Sequence, residues 1–117
     1  MSAIELEEQF LYLTTVGRKS GAPREIEIWF THVGTAYYLI AEQRAEANWV
    51  KNMQHNAHIN FRVGARRFAG SGRMLDEKAD AALWRVVAER FAQKYGWNDG
   101  LIVELMPDEA VQPGSAL

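Results

Sequence analysis

Short segments with β-strand character, separated by turn-forming residues, run through most of this chain and constrain its fold most strongly. The clearest segment, residues 24–32 (REIEIWFTH), places its two isoleucines and Phe30 on one face and its glutamates and Trp29 on the other. Strands are predicted at residues 10–15, 24–32, 36–41, 58–63, 66–75 and 101–106. Strands in consecutive hairpins closed by helices predict an antiparallel β-barrel of the α+β class with about six strands.

Two segments have helical periodicity instead. Residues 46–56 (EANWVKNMQHN) place apolar side chains four residues apart and predict a short amphipathic helix inserted between strands. Asp76 is predicted as the N-cap of a longer, late helix that presents apolar residues on one face. Gly96 suits the C′ position that ends this helix.

Length and composition indicate one ordinary globular domain over residues 1–117, with 48% apolar and 24% charged residues. We expect residues 1–9 to contain one or two helical turns and residues 107–117 to form a tail. The formal net charge of −2 gives no support to nucleic-acid binding.

The chain contains no cysteine, which excludes disulfides, zinc–thiolate sites and cysteine nucleophiles. The acidic N-terminus lacks the features of a signal peptide, and no apolar run approaches membrane-spanning length. We therefore expect a cytoplasmic protein with no transmembrane segment. A metal site is not predicted either, because His55 and His58 have no evident third ligand.

A cationic loop between the first two predicted strands carries the strongest functional signal. Residues 14–25 (TTVGRKSGAPRE) combine two glycines with Arg18, Lys19 and Arg24, which is far more charge than a hairpin turn needs. Backbone N–H groups in such a loop form an anion site, and the cations and the Ser20 hydroxyl add hydrogen bonds. The alternative interpretation is a solvated, charged turn.

Trp49 and Asn52 lie three residues apart on the inserted helix and therefore on neighbouring positions of one face. Trp49 fits either a core position or a ligand contact, whereas Asn52 beside it requires hydrogen-bond partners if it is buried. Phe91 and Tyr95 on the late helix fit either packing against the barrel or the wall of an apolar pocket.

Two motifs together resemble those of one known family. LTTVGRKSGAPRE (residues 13–25) matches the T-T-x-G-R-K-S-G-x-P-R signature of the deazaflavin (F-420)-dependent nitroreductases, also called F-420H2-dependent quinone reductases. NWVKNMQHNAHINFRVG (residues 48–64) matches their W-x-x-N-L-x-A-N-P-x-V signature at Trp49, Asn52 and Asn56. The resemblance runs over roughly residues 10–106.

The resemblance implies a split β-barrel, usually a homodimer, that binds coenzyme F-420, a deazaflavin with a phosphate and an oligoglutamate tail. Trp49 and Asn52 would then lie beside the groove for the phosphate and the ring, and Ala41 would offer backbone groups to the ring. The side chains that would contact the phosphate or carboxylates are those of Arg18, Lys19, Ser20 and Arg24.

The same resemblance implies hydride transfer from the reduced cofactor to a small electrophilic acceptor, such as a quinone, an enone or a nitro compound. Phe91 and Tyr95 would then border the substrate, with Tyr95 as proton donor. Glu42 stands where the family usually has serine, and it would repel an anionic ligand unless Arg44 pairs with it. The alternatives are an FMN-binding split-barrel flavoprotein and a non-catalytic module that binds a cofactor such as haem or another ligand.

Overall fold

The computed structural model describes residues 8–108. The expected helical turn at residues 3–9 therefore lies almost entirely outside the described residues, and Glu8 and Gln9 have no regular structure. The expected tail lies outside them from residue 109 onward, and Pro107 belongs to the last strand.

Seven strands and two α-helices make up the described chain. The strands are β1 (Phe10–Val16), β2 (Pro23–Trp29), β3 (Thr31–Val33), β4 (Ala36–Ala41), β5 (His58–Val63), β6 (Arg66–Met74) and β7 (Leu101–Pro107). The helices are α1 (Asn48–His55) and α2 (Ala81–Tyr95), and a 3-10 turn (Arg44–Glu46) precedes α1. The predicted α+β class, the inserted helix and the late helix are confirmed.

All seven strands belong to one antiparallel sheet in the order β2-β1-β5-β6-β7-β4-β3. The two edge strands, β2 and β3, are consecutive in the chain and are separated by Phe30 alone. Because one segment supplies both edges, the sheet must curl until its two ends approach each other. This connection produces the barrel shape.

The predicted single strand over residues 24–32 is wrong, because Phe30 divides it into β2 and β3. β2 pairs with β1 and β3 pairs with β4. At the junction, the Phe30 N–H donates to the hydroxyl of Tyr95 at 3.1 Å. The Phe30 carbonyl accepts from Lys94 Nζ at 3.1 Å and lies 3.0 Å from the Tyr95 hydroxyl. Side chains of α2 thus satisfy the Phe30 backbone and allow the segment to change partners.

The core has two parts. The first fills the barrel and includes Leu11, Leu13 and Phe30, with Val50 and Met53 of α1 packed against them. The second lies between the sheet and α2, whose Val87 and Phe91 are fully buried. Each large apolar side chain buried in this way contributes about 1.5–3 kcal/mol.

Gly70 and Gly72 on β6 were expected to mark a bend or a close approach. A side chain at Gly72 would collide with the sulfur of Met53, and one at Gly70 would collide with the backbone of Met106. These glycines therefore allow α1 and β7 to pack closely against β6.

The late helix begins at Ala81, so Asp76 is not its N-cap as predicted. The Asp76 carboxylate instead accepts hydrogen bonds from the backbone N–H groups of Lys78 and Ala79, at 2.8 and 2.9 Å, in the turn before the helix. These bonds hold the pKa of Asp76 below its usual value. Gly96 ends the helix with a left-handed φ of 71°, as predicted.

Candidate ligand-binding groove

The cationic loop between β1 and β2 is closed by its own backbone. The N–H of Gly17 donates to the carbonyl of Ala22 at 2.8 Å, and the N–H of Gly21 donates to the carbonyl of Gly17 at 2.8 Å. Gly21 has a φ of 73°, a conformation that glycine adopts without strain. The loop therefore has a defined conformation rather than that of an open, solvated turn.

Asn52 of α1 fixes this loop to the helix. Its carbonyl oxygen accepts from the backbone N–H of Arg18 at 3.2 Å and from Arg18 Nη1 at 2.8 Å. Its Nδ2 donates to the hydroxyl of Thr15 at 3.2 Å. Asn52 is only 5% exposed, and these bonds supply the partners that a buried amide requires.

Arg18 continues this contact along the helix. Its guanidinium donates to the side-chain oxygen of Asn48 at 3.3 Å and to the Asn48 carbonyl at 3.5 Å. The charge of Arg18 thus lies at the start of α1, in the wall of a cleft that borders the loop. Its main contacts are with the protein.

The remaining polar side chains of the loop are more available. Ser20 Oγ accepts from the backbone N–H of Ala22 at 3.1 Å and from Arg24 Nη2 at 3.3 Å, which leaves the hydroxyl proton for another acceptor. Lys19 is exposed and has no hydrogen bond or ion pair with any residue between 8 and 108. Lys19 and Ser20 are therefore the loop groups best placed to meet an anion.

A groove begins at this loop and continues past Trp49. Its first part is a cleft of about 270 Å³ lined by Thr15, Gly17, Arg18, Lys19, Ser20, Arg24, Ile26, Asn48, Trp49 and Asn52. Its second part is a cleft of about 620 Å³ that shares Ile26, Asn48 and Trp49 with the first. The structure thus brings together six of the predicted site residues in the first part, and Ala41 lines the second.

The larger cleft has mainly apolar and aromatic walls. They include Trp29 and Trp97 in addition to Trp49, together with Phe10 and three isoleucines. The ring of Trp29 stacks on that of Tyr95, with centroids 4.4 Å apart, and meets Trp97 edge to face at 6.0 Å. Trp29 was not predicted as a site residue; a tryptophan among the glutamates of a strand's polar face was the available signal.

Phe91 and Tyr95 do not line either part of the groove. Phe91 is fully buried in the core between α2 and the sheet. The Tyr95 hydroxyl is occupied by the backbone of Phe30 and by the carbonyl of Gln9 at 2.7 Å. Burial raises its pKa to about 12. These contacts give both residues structural roles in the chain as described.

Glu42 lies in the wall of the larger cleft, and Arg44 does not neutralise it. Arg44 Nη2 instead pairs with Asp99 Oδ1 at 3.2 Å. Arg44 therefore does not offset the repulsion that Glu42 would exert on an anionic ligand.

Within residues 8–108, no group of three or more His, Asp or Glu side chains could hold a metal ion. No helix in that same range has both the length and the apolar character needed to cross a membrane.

Comparison with solved structures identifies the fold. A structure of an F420-H2 dependent reductase (FDR-A) superposes with a TM-score of 0.63 at 17% identity, covering 83% of this chain and 93% of that one. The haem storage protein HutZ of Vibrio cholerae superposes with a TM-score of 0.73 at 18% identity, covering 91% of this chain and 86% of that one. The fold is the split β-barrel that the resemblance implied.

Sequence comparison then gives the family. Residues 3–100 match the model of the F420H(2)-dependent quinone reductases. An F420H(2)-dependent quinone reductase of Mycobacterium tuberculosis is 28% identical over 90 residues, which cover 73% of this chain and 60% of the relative. The chain thus spans less than two thirds of that relative's length. It belongs to the F420H(2)-dependent quinone reductase family.

Proposed function

We propose that this chain is a deazaflavin-dependent reductase, which transfers a hydride from reduced coenzyme F-420 to a small electrophilic acceptor such as a quinone, an enone or a nitro compound. The groove formed by the two adjoining clefts carries this proposal. It joins a cationic cleft of about 270 Å³ to an aromatic cleft of about 620 Å³, with Trp49 in both. A ligand with an acidic tail and a flat ring fits this arrangement, with its tail in the cationic cleft and its ring in the aromatic cleft.

The loop end of the groove would hold the phosphate and carboxylates of the cofactor. Lys19 and Arg24 supply charge, and the Ser20 hydroxyl supplies a donor. Charge-assisted hydrogen bonds of this kind are shorter and stronger than neutral ones. Arg18 contributes its positive charge, while its bonds to Asn48 and Asn52 hold the loop against α1.

The aromatic end would hold the ring. Trp49, Trp29 and Trp97 present flat apolar surfaces, and the backbone at Ala41 lies in the same wall. When bound, the deazaflavin supplies the hydride from its C5 position, so the protein's task is to orient ring and acceptor and to exclude water. We assign no proton-transfer role to Tyr95, whose hydroxyl is bound to backbone groups.

The cytoplasmic location expected from the sequence and the homodimer implied by the family resemblance remain part of the proposal. The cation-lined cleft would also accept the single phosphate of FMN, so FMN is the comparison ligand. The alternative of a non-catalytic binding module would require the protein to bind a cofactor without reducing an acceptor.

Titration of the purified protein with F-420 and with FMN, followed by fluorescence, tests the proposal. We expect F-420 to bind more tightly than FMN, and the double variant K19A/R24A to weaken F-420 binding at least tenfold. R85A is the matched control, because Arg85 is an exposed cation of α2 outside the groove. Oxidation of F-420H2 by menadione then reports turnover. Binding of FMN alone, or an equal effect of the control, would overturn the proposal.

A further inference from the structure

The larger cleft has acidic side chains in its wall. Its lining includes Glu27 and Glu42 but no lysine, arginine or histidine from the described residues. Glu27 Oε2 accepts a hydrogen bond from the Tyr12 hydroxyl at 2.6 Å, so this carboxylate is engaged by another strand. Glu42 has no hydrogen-bond or ion-pair partner between residues 8 and 108.

Cations near Glu42 in the chain are paired with other acids. Arg44 pairs with Asp99 at 3.2 Å, and Lys51 pairs with Glu46 at 3.3 Å. The groove therefore has opposite charges at its two ends, with Lys19 and Arg24 at the loop and Glu42 in the aromatic cleft. An elongated ligand with an acidic tail would therefore fit the groove in one orientation only, with its tail at the cationic loop.

On the basis of the proposed reductase function, we propose that Glu42 sets the charge selectivity of the acceptor. It makes the aromatic cleft prefer flat acceptors that are neutral or positively charged and reject anionic ones. Tryptophan faces attract organic cations, and an unpaired carboxylate beside them adds Coulomb attraction. The same carboxylate repels a sulfonate or carboxylate on the acceptor, which gives specificity by exclusion.

Three naphthoquinones with the same ring test this proposal: one unsubstituted, one with a sulfonate and one with a trimethylammonium group. Binding to the cofactor-free protein is measured by quenching of tryptophan fluorescence, since three tryptophans line the cleft. The KM of each quinone is measured with F-420H2. At low ionic strength we expect the cationic quinone to bind about tenfold more tightly than the anionic one, as one charge at close range implies.

The variant E42Q distinguishes the effect of Glu42 from the effects of the other charges of the protein. We expect it to reduce the tenfold ratio to about twofold, whereas E89Q, an exposed glutamate of α2 outside the groove, keeps it. Equal ratios in the wild type and E42Q would overturn the proposal, as would an equal change in E89Q. Lack of turnover with F-420H2 would instead contradict the reductase function, while the quenching ratio would still report the charge preference of the cleft.

Discussion

Asn52 shows how one buried polar residue organises the groove. It holds two donors of Arg18 and the hydroxyl of Thr15 and so joins β1, the cationic loop and α1. A buried amide with satisfied partners fixes one arrangement, because any displacement leaves polar groups without hydrogen bonds. Asn52 therefore positions the cationic loop against α1.

Replacing Asn52 by leucine should destabilise the protein by about 1–3 kcal/mol, because the Arg18 N–H and the Thr15 hydroxyl lose their partner. Urea denaturation measures the free energy of unfolding. N48A, which removes an exposed contact to the same arginine, is the control and should cost less than about 1 kcal/mol. Equal effects of the two variants would contradict the role assigned to Asn52.

Lys94 has a pKa lowered to about 8, chiefly because it is partly buried, with Nζ 3.8 Å from the centroid of the Phe30 ring. Between this pKa and the ordinary pKa of 10.5, the unfolded chain binds more protons than the folded one at this group. The contribution of Lys94 to stability should therefore rise as the pH increases from 8 towards 10.5.

The variant K94M removes this titration and should flatten the rise in unfolding free energy between pH 8 and 10. The two stability profiles should be compared by urea denaturation at intervals of half a pH unit. K51M, which changes a half-buried lysine paired with Glu46, should keep the rise. A K94M profile parallel to that of the wild type would contradict this account.

At the scale of elements, α2 has two tasks. Its Val87 and Phe91 cover one side of the sheet, and its C-terminal end binds the backbone at Phe30 where β2 gives way to β3. The stacking of Tyr95 on Trp29 extends this support to the wall of the aromatic cleft. The helix thus shapes the groove although Phe91 and Tyr95 do not line it.

Replacing Phe91 by alanine should cost about 3–5 kcal/mol of stability, because a fully buried ring leaves a cavity. The affinity of the folded variant for F-420 and its KM for quinones should change little. V86A, on an exposed position of the same helix, should stay within about 0.5 kcal/mol of the wild type. A small loss of stability with a large change in KM would place Phe91 at the substrate instead.

At the scale of the whole molecule, the two ends of the groove differ in charge although the net charge is only −2. The loop end gathers three cations, and the aromatic end has Glu42. Local charge, more than the total, determines which ligand is attracted and in which orientation.

Binding of F-420 should therefore weaken as ionic strength rises, because contacts between exposed cations and an acidic tail are screened. Raising NaCl from 0.02 to 0.5 M should increase the Kd about tenfold or more, on the order expected for several screened contacts. A truncated deazaflavin without phosphate and glutamates should bind more weakly and show little salt dependence. Equal salt dependence of the two ligands would contradict binding of the tail by the loop.

Local patterns in the sequence predicted most elements of this fold. The strands at residues 36–41 and 58–63 were predicted with the bounds that the structure has, because alternation and turn residues act over a few positions. The cationic loop, the inserted helix and the end of α2 at Gly96 were predicted for the same reason. The spacing of Trp49 and Asn52 on the inserted helix, together with the family motif, also predicted that these two residues lie on one face at the site.

Only the tertiary structure determined which distant groups meet. The division of residues 24–32 at Phe30 depends on Tyr95 and Lys94, which lie more than sixty residues away. Trp29 became a groove residue through the curl of the sheet, and Glu42 has no cationic partner within residues 8–108 because Arg44 pairs with Asp99. The periodicity of a segment shows how apolar and polar side chains alternate along it. The contacts described above depend instead on which segments the closed barrel brings together.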